Sequence, residues 1–178
     1  MISEDDHQLI LAWANLAQVH TVMRTELTHR LQDEAGLTLA EHELLFRLSR
    51  APDGRLRMID LAELTLQPKS AITRLVERLV LRGAVTRHQP ADNRRVTYAV
   101  LTTEGRALFD RARPVYIQGV RDLLEEHLAP ADVQFLRQRL RDILTGQDTW
   151  TDERCDPQPL GVGPSDEIAD DATVTFPR

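Results

Sequence analysis

The stretch from residue 61 to residue 102 constrains the fold more than any other part of this chain. It holds a short amphipathic run, a turn at Gln67-Pro68, a longer amphipathic run and two β-prone segments around a basic tip. The longer run has apolar side chains at the i, i+3, i+4, i+7 spacing of a helix with one buried face, namely Ile72, Leu75, Val76 and Leu79. We therefore predict a helix over about 68–82, with Pro68 at its first helical position and Gly83 as its cap.

The opposite face of this predicted helix is polar and basic. It has small hydroxyl groups toward its N-terminal end and cations around and beyond them: Lys69, Ser70, Thr73, Arg74 and Arg78. A helix that enters the DNA major groove needs this arrangement, because small groups allow close approach and guanidinium groups bind guanine. An ordinary solvated helix would look similar, so this face alone leaves both interpretations open.

The two β-prone segments, 84–88 and 96–101, are joined by the turn sequence Pro90-Ala91-Asp92-Asn93 and should therefore form a hairpin. Arg94 and Arg95 lie at or just past its tip. Two adjacent guanidinium groups repel each other and add nothing to a core, whereas the negative potential of a narrow minor groove attracts such a side chain. Two helices followed by a basic hairpin indicate a winged helix-turn-helix; a surface charge cluster without function is the alternative for the tip.

Three more helices are predicted before the longer run. The first opens with a Ser-x-x-Asp motif at Ser3 and lasts until Gly36, the second has a capping box at Thr38 and stops near Arg50, and a short third spans about 57–64. The first carries a nearly heptad-spaced stripe of apolar and semi-polar side chains: Leu9, Trp13, Leu16, His20, Met23, Leu27 and Leu31. This stripe could face the core of the same chain, a second subunit or a ligand pocket.

Two helices should follow the hairpin, one capped by Thr102 and interrupted at Pro114, the other opening at Pro130. The apolar surface of the long helices exceeds what a small winged domain can cover, which favours a symmetric dimer interface. We thus predict a mainly α fold with a small β-hairpin wing. Its parts are an N-terminal dimerisation helix (1–36), a winged helix-turn-helix DNA-binding region (37–102), C-terminal dimerisation helices (103–146) and an acidic, disordered tail (147–178).

The net charge of −6 conceals a strong asymmetry. Residues 147–178 hold eight acidic and two basic side chains, and the rest of the chain is neutral. Residues 55–95 hold nine basic and four acidic side chains, a local charge of +5. A DNA phosphate backbone meets this local patch and not the average charge, so the composition is compatible with double-stranded DNA as the partner.

Several other classes of protein are disfavoured. No run approaches 18 consecutive apolar residues and no signal peptide is recognisable, so we expect a cytoplasmic protein without a membrane partner. The single cysteine, Cys155, cannot form an intramolecular disulfide. The chain has no nucleophile-elbow, Walker, dinucleotide or zinc-ligand motif, and we predict neither an enzyme nor a cofactor nor a metal site.

Over about residues 5–146 the chain resembles the MarR family of winged helix-turn-helix transcriptional regulators. The motifs that carry the resemblance are Leu61-Ala62-Glu63, Ser70 with Thr73-Arg74-Leu75-Val76-Glu77-Arg78-Leu79, Gly83, Asp92-Asn93-Arg94-Arg95 and Leu101-Thr102-x-x-Gly105. The resemblance implies a homodimeric, ligand-responsive repressor with two recognition helices in successive major grooves of a pseudo-palindromic operator. It also implies that Ser70, Thr73, Arg74 and Arg78 contact DNA, and that Asp92 positions Arg94 in the minor groove.

Members of this family commonly release DNA when a small aromatic or phenolic ligand acts near the junction of the dimer and DNA-binding parts. The candidate lining in this sequence is Trp13, His20, Met23, His42 and Phe46, for which plain core packing is the competing interpretation. The alternative function is a protein-interaction adaptor that keeps the winged fold but binds no DNA, with the acidic tail recruiting a basic partner. A further hypothesis is that this tail mimics DNA and competes for the basic patch.

Overall fold

The computed structural model of the protein describes residues 2–91 and 93–145. Within them the helices are α1 (Glu4–Ala35), α2 (Leu39–Arg50), α3 (Met58–Thr65), α4 (Lys69–Leu81), α5 (Thr103–Leu124) and α6 (Pro130–Thr145). The strands are β1 (Arg55–Arg57), β2 (Val85–His88) and β3 (Tyr98–Leu101). The mainly helical fold with a small β wing is confirmed. The predicted acidic tail, Cys155 and Asp92 lie outside the described residues.

The predicted hairpin is confirmed as β2 and β3, and β1 adds a third strand, so that the wing is a three-stranded antiparallel sheet. β3 lies in the middle, with β2 on one side and β1 on the other, where Leu56 pairs with Ala99. At the end of β1 the Met58 N–H donates to the Thr97 carbonyl oxygen at 3.0 Å. Because α3 starts at Met58, the wing is attached directly to the first helix of the helix-turn-helix.

Local sequence signals account for most helix boundaries. Thr38 and Glu41 form a reciprocal capping box, and Thr102 accepts a hydrogen bond from the Gly105 N–H at 2.9 Å. Gly36 ends α1 in the left-handed region with φ 65°, a backbone conformation that glycine adopts without steric cost. Pro68 is the residue before α4 and not its first helical residue, since its ψ is 144°.

The predicted interruption of α5 at Pro114 is wrong, because the helix runs through this residue. A proline inside a helix removes one hydrogen bond and costs about 3 kcal/mol. Phe109 and Ala112 before Pro114 and Gly119 after it are all buried. Packing on both sides therefore holds the two halves in one helix.

The core lies between α2, α3, α4, the sheet and the first half of α5. The predicted buried face of α4 is confirmed, and its partners from α2 are fully buried as well: Ile72, Leu75, Val76 and Leu79 with Leu44, Leu45 and Leu48. Within the described part of the chain, Phe109 of α5 is the largest fully buried side chain. This packing fixes which face of α4 points outward.

Most of α1 and most of α6 stay exposed in a single chain. Of the predicted stripe only Leu27 and Leu31 are buried, whereas Trp13 is 69% exposed. In α6 no residue is buried, and Phe135 is 64% exposed. The core of the same chain thus accounts only for the C-terminal end of the stripe.

Among the described residues, no helix combines the length and the apolar character that a membrane span requires. The cytoplasmic location stays a prediction.

Candidate nucleic-acid interface

The outward face of α4 carries the side chains that we predicted for DNA contact, and all five are exposed: Lys69, Ser70, Thr73, Arg74 and Arg78. The first turn of α4 has no side-chain cap. Its first N–H groups therefore remain available to an anion, which the helix dipole also favours. Arg74 forms no ion pair with any described residue. This face is suited to phosphates and base edges, because it offers a lysine, hydroxyl groups, an arginine without an ion pair and an uncapped helix start.

Arg78 differs from its neighbours on this face because it is bound to another helix. Its Nε donates to Oε1 of Glu41 in α2 at 3.1 Å. Glu41 is 5% exposed, and burial alone would raise the pKa of its carboxyl group. Hydrogen bonds from the Thr38 backbone and from Arg78 outweigh burial and lower that pKa below its usual range. Glu41 is therefore ionised and holds Arg78.

A groove of about 530 Å³ lies where α3, α4 and the wing meet. Four of its lining side chains are cationic: Arg57, Lys69, Arg87 and Arg95. Arg57 forms two hydrogen bonds with Asp60, at 2.7 and 2.9 Å, which raise the pKa of this guanidinium. Arg87 donates to the Thr73 carbonyl oxygen at 3.3 Å and to Glu77 at 3.4 Å. The groove joins the basic side chains of α4 and the wing into one surface.

Arg57 and Arg87 were not among the predicted contact residues. A signal for Arg87 exists in the strand period, since it lies two residues after the buried Val85 and so on the face of β2 that meets α4. No such signal exists for Arg57, because β1 is too short to show a period.

The wing tip is exposed at both arginines, as predicted. The Arg95 N–H donates to the Asn93 side chain at 3.2 Å, and the Val96 N–H donates to the Asn93 carbonyl oxygen at 3.1 Å. These bonds order the return of the chain into β3. Arg94 forms no ion pair with a described residue. Its predicted bridge to Asp92 stays a prediction.

None of the five predicted effector residues lines the basic groove, and their role stays a prediction. Phe46 packs near Phe109, with ring centroids 6.2 Å apart, and His42 is buried nearby. Trp13 and His20 are exposed on α1. Trp13 is fourteen residues before the buried Leu27, a distance of about 21 Å along a helix. No group of described residues could hold a metal ion.

His42 is enclosed by aromatic rings. Its ring stacks on Tyr116 with centroids 4.6 Å apart and lies 5.3 Å from the Phe109 centroid. Its Nε2 is buried and has no hydrogen-bond partner among the residues that the structure describes. Burial lowers the pKa of His42 to about 4, because the charged imidazolium is unfavourable in an apolar site. His42 is therefore neutral at physiological pH and acts as a core side chain.

We expect His42 to make the fold acid-sensitive. Its pKa is about 4 when folded and 6.5 when unfolded, so between these values the unfolded chain binds the proton more readily. Stability should be unaffected above pH 7 and should fall as the pH drops from about 6.5 to 4, by about 2 kcal/mol at pH 5. Urea unfolding at pH 8 and pH 5 measures this loss. His42→Phe should remove it, and the exposed-site control His127→Gln should retain it; an equal loss in His42→Phe would assign the effect to other groups.

Comparisons with known proteins agree with this geometry. Residues 35–95, from the end of α1 to the wing, match the sequence profile described as MarR family. A comparison with curated protein sequences finds no match.

Three solved structures illustrate the similarity in fold. Sco3205, a MarR family transcriptional regulator from Streptomyces coelicolor solved in complex with DNA, is 27% identical, with 83% of this chain and 91% of that one covered and a TM-score of 0.74. AbsC, a MarR family transcriptional regulator from the same organism, is 31% identical, with 83% and 99% covered and a TM-score of 0.71. The transcriptional regulator BldR from Sulfolobus solfataricus is 25% identical, with 82% and 100% covered and a TM-score of 0.70.

Proposed function

The chain belongs to the MarR family of transcriptional regulators, and from this premise we propose that it binds a pseudo-palindromic operator as a homodimer, with α4 in the major groove and the wing tip in the adjacent minor groove. Sco3205, which covers most of this chain, was solved with DNA bound. The observation that carries the proposal is the basic groove, because Lys69 from α4 and Arg95 from the wing line it together. Helix and wing thus offer their cations to one DNA surface.

The unpaired cations of this surface suit a polyanion. Lys69, Arg74, Arg94 and Arg95 form no ion pair with a described residue. Each can replace a condensed counterion of DNA, so binding should weaken steeply as salt concentration rises. The alternative adaptor, which binds no DNA, offers no reason for such a set of free cations on one side.

The apolar side chains left exposed on α1 and α6 support the homodimer. Large apolar side chains exposed in such number on two helices favour an interaction surface. A two-fold arrangement would cover the same residues on both subunits and would hold two α4 helices at a fixed distance. That distance sets the spacing of the operator half-sites.

Regulation by a small aromatic or phenolic effector is part of the proposal. Trp13, His20 and Met23 lie on the part of α1 that a second subunit would cover, so a pocket that includes them has to form at the subunit interface. His42 and Phe46 lie in the core of one chain, so they would form only the inner end of such a pocket. An effector that changes this interface would change the half-site distance and release the operator, which is how a repressor responds to its ligand.

Selection of genomic DNA fragments by the full chain at physiological salt tests the function. We expect enrichment of fragments that share a pseudo-palindrome, with nuclease protection over both half-sites and reduced protection when benzoate or phenol is added. Recovery of fragments without a shared sequence would contradict sequence-specific regulation and favour the adaptor.

We expect Arg94→Ala to weaken operator binding by about 1–3 kcal/mol, roughly 5- to 150-fold, because it removes the cation proposed for the minor groove. A gel-shift titration measures this loss, and light scattering should give an unchanged mass. Arg111→Ala, which removes an exposed arginine of α5, is the matched control and should bind like the parent. Unchanged affinity of Arg94→Ala would remove the wing from the interface.

A further inference from the structure

The carboxylate of Glu41 joins the recognition helix to the junction of α1 and α2. One oxygen, Oε2, accepts the Thr38 backbone N–H at 2.9 Å, and the other accepts Arg78 Nε at 3.1 Å. Arg82, four residues after Arg78 and at the C-cap of α4, has its Nη1 3.7 Å from Oε2. The same Nη1 donates to the Gly36 carbonyl oxygen, at the end of α1, at 2.7 Å. We call Glu41, Arg78 and Arg82 the junction clamp.

The junction clamp and the core restrict different movements of α4. The buried face of α4 determines how closely the helix packs against α2, but apolar contacts are not directional. Hydrogen bonds are directional, and charge strengthens those that an arginine donates to a carboxylate. The Arg78 bond to the Glu41 carboxylate and the Arg82 bond to the Gly36 carbonyl oxygen therefore restrict the rotation of α4 about its axis and its tilt relative to the α1–α2 junction.

The junction clamp also determines which cations are free for DNA. Arg78 lies on the exposed face, and its side chain is 52% exposed. Its Nε is nevertheless bound to an ionised carboxylate that is almost fully buried. Leaving such a carboxylate unpaired is costly. Arg78 is therefore less available to DNA than Arg74, one turn earlier on the same face.

We propose that Glu41 is a positioning residue for sequence-specific DNA binding. It sets the orientation of α4 relative to the α1–α2 junction and keeps Arg78 from binding phosphates, so that Arg78 acts on recognition through Glu41 and not by touching DNA. The inference rests on the proposed DNA-binding function. It also revises the role predicted for Arg78 as a major-groove contact.

Glu41→Gln is the first test, because glutamine keeps the size of the side chain and its place in the capping box while removing the charge. Freed arginines should bind phosphates of any sequence. We expect affinity for random DNA to rise and the salt dependence to steepen by about 0.9 for each freed arginine, or about 1.8 for a dimer that frees one in each subunit. The ratio of operator affinity to random-DNA affinity should fall at least tenfold.

Arg78→Gln is a second test, and it does not depend on whether the Glu41 variant folds. If Arg78 acts through Glu41, the specificity ratio should fall while the salt dependence of binding stays unchanged. An arginine that touches DNA would instead lower the slope by about 0.9 per subunit. Arg74→Gln, on the same face without an ion pair, is the matched control and should lower the slope.

A double-mutant cycle separates the two roles of Arg78. Combined with Glu41→Gln, Arg78→Gln should have a strongly non-additive effect on the free energy of operator binding. Arg74→Gln combined with Glu41→Gln should have an additive effect. Additive effects for Arg78, or an unchanged slope and specificity ratio in Glu41→Gln, would overturn the inference while parent binding stands. Absence of selective DNA binding by the parent chain would overturn the proposed function, and the inference with it.

Discussion

Leu16→Glu should convert the proposed homodimer into a monomer and lower its operator affinity by about 10²- to 10⁴-fold. Leu16 is 40% exposed in the single chain and lies on the stripe of α1 that the core does not cover. A carboxylate placed in an apolar subunit interface would lose its hydration without gaining a partner. A monomer presents one α4 to one half-site, so it loses the effective concentration that links two binding events.

Light scattering and a gel-shift titration of the same samples measure this change. Gln18→Glu is the matched control, because it adds the same charge at an exposed site about 200° further around α1. The control should keep the dimer mass and the operator affinity. A Leu16→Glu protein that stays dimeric and binds the operator normally would place the N-terminal half of α1 outside the subunit interface.

The helix-turn-helix was predictable from sequence because its signals are local. The buried face of α4 follows the 3.6-residue period, and the caps at Thr38 and Thr102 need only residues within one turn. The identity of the exposed face followed from the same period. These features depend on neighbours along the chain, so no knowledge of the rest of the fold was required.

What was missed depends on partners distant in sequence. The carboxylate that binds Arg78 is 37 residues away along the chain, and no sequence pattern around either residue indicates that the two are paired. The three residues of β1 form a strand only because β3 offers them an edge. Pro114 predicts a break because its local cost is visible in the sequence, whereas the packing that offsets this cost is not.

The candidate interface likewise combines features that follow from local sequence with features that depend on the fold. Exposed cations on α4 and on the wing tip could be named from spacing, but the groove that joins them requires knowledge of how α3, α4 and β2 meet. Arg87 reaches α4 across this groove, and Arg57 enters it from β1. A cation can bind DNA readily only if no ion pair holds it, and which cations are held in ion pairs depends on the folded chain.

The largest loss of stability in our predictions is expected for Gly105→Ala, at about 3 kcal/mol of unfolding free energy. A Cβ at Gly105, in the first turn of α5, would lie 2.0 Å from the Ala84 carbonyl oxygen and 2.8 Å from its carbon. That carbonyl cannot turn away freely, because it accepts the Thr102 N–H at 3.2 Å. The start of α5 would have to move off the base of the wing, as in other overpacked cores.

Gly119→Ala is the matched control within the same helix. Its Cβ would meet the Leu27 Cδ2 at 2.7 Å, the far end of a flexible side chain, and the change also gains up to about 1 kcal/mol in helix propensity. Urea unfolding should therefore separate the two variants clearly. A Gly105→Ala protein as stable as Gly119→Ala would mean that α5 does not dock on Ala84. The expected difference would assign the glycine of the Leu101-Thr102-x-x-Gly105 motif to backbone packing behind the wing and not to DNA contact.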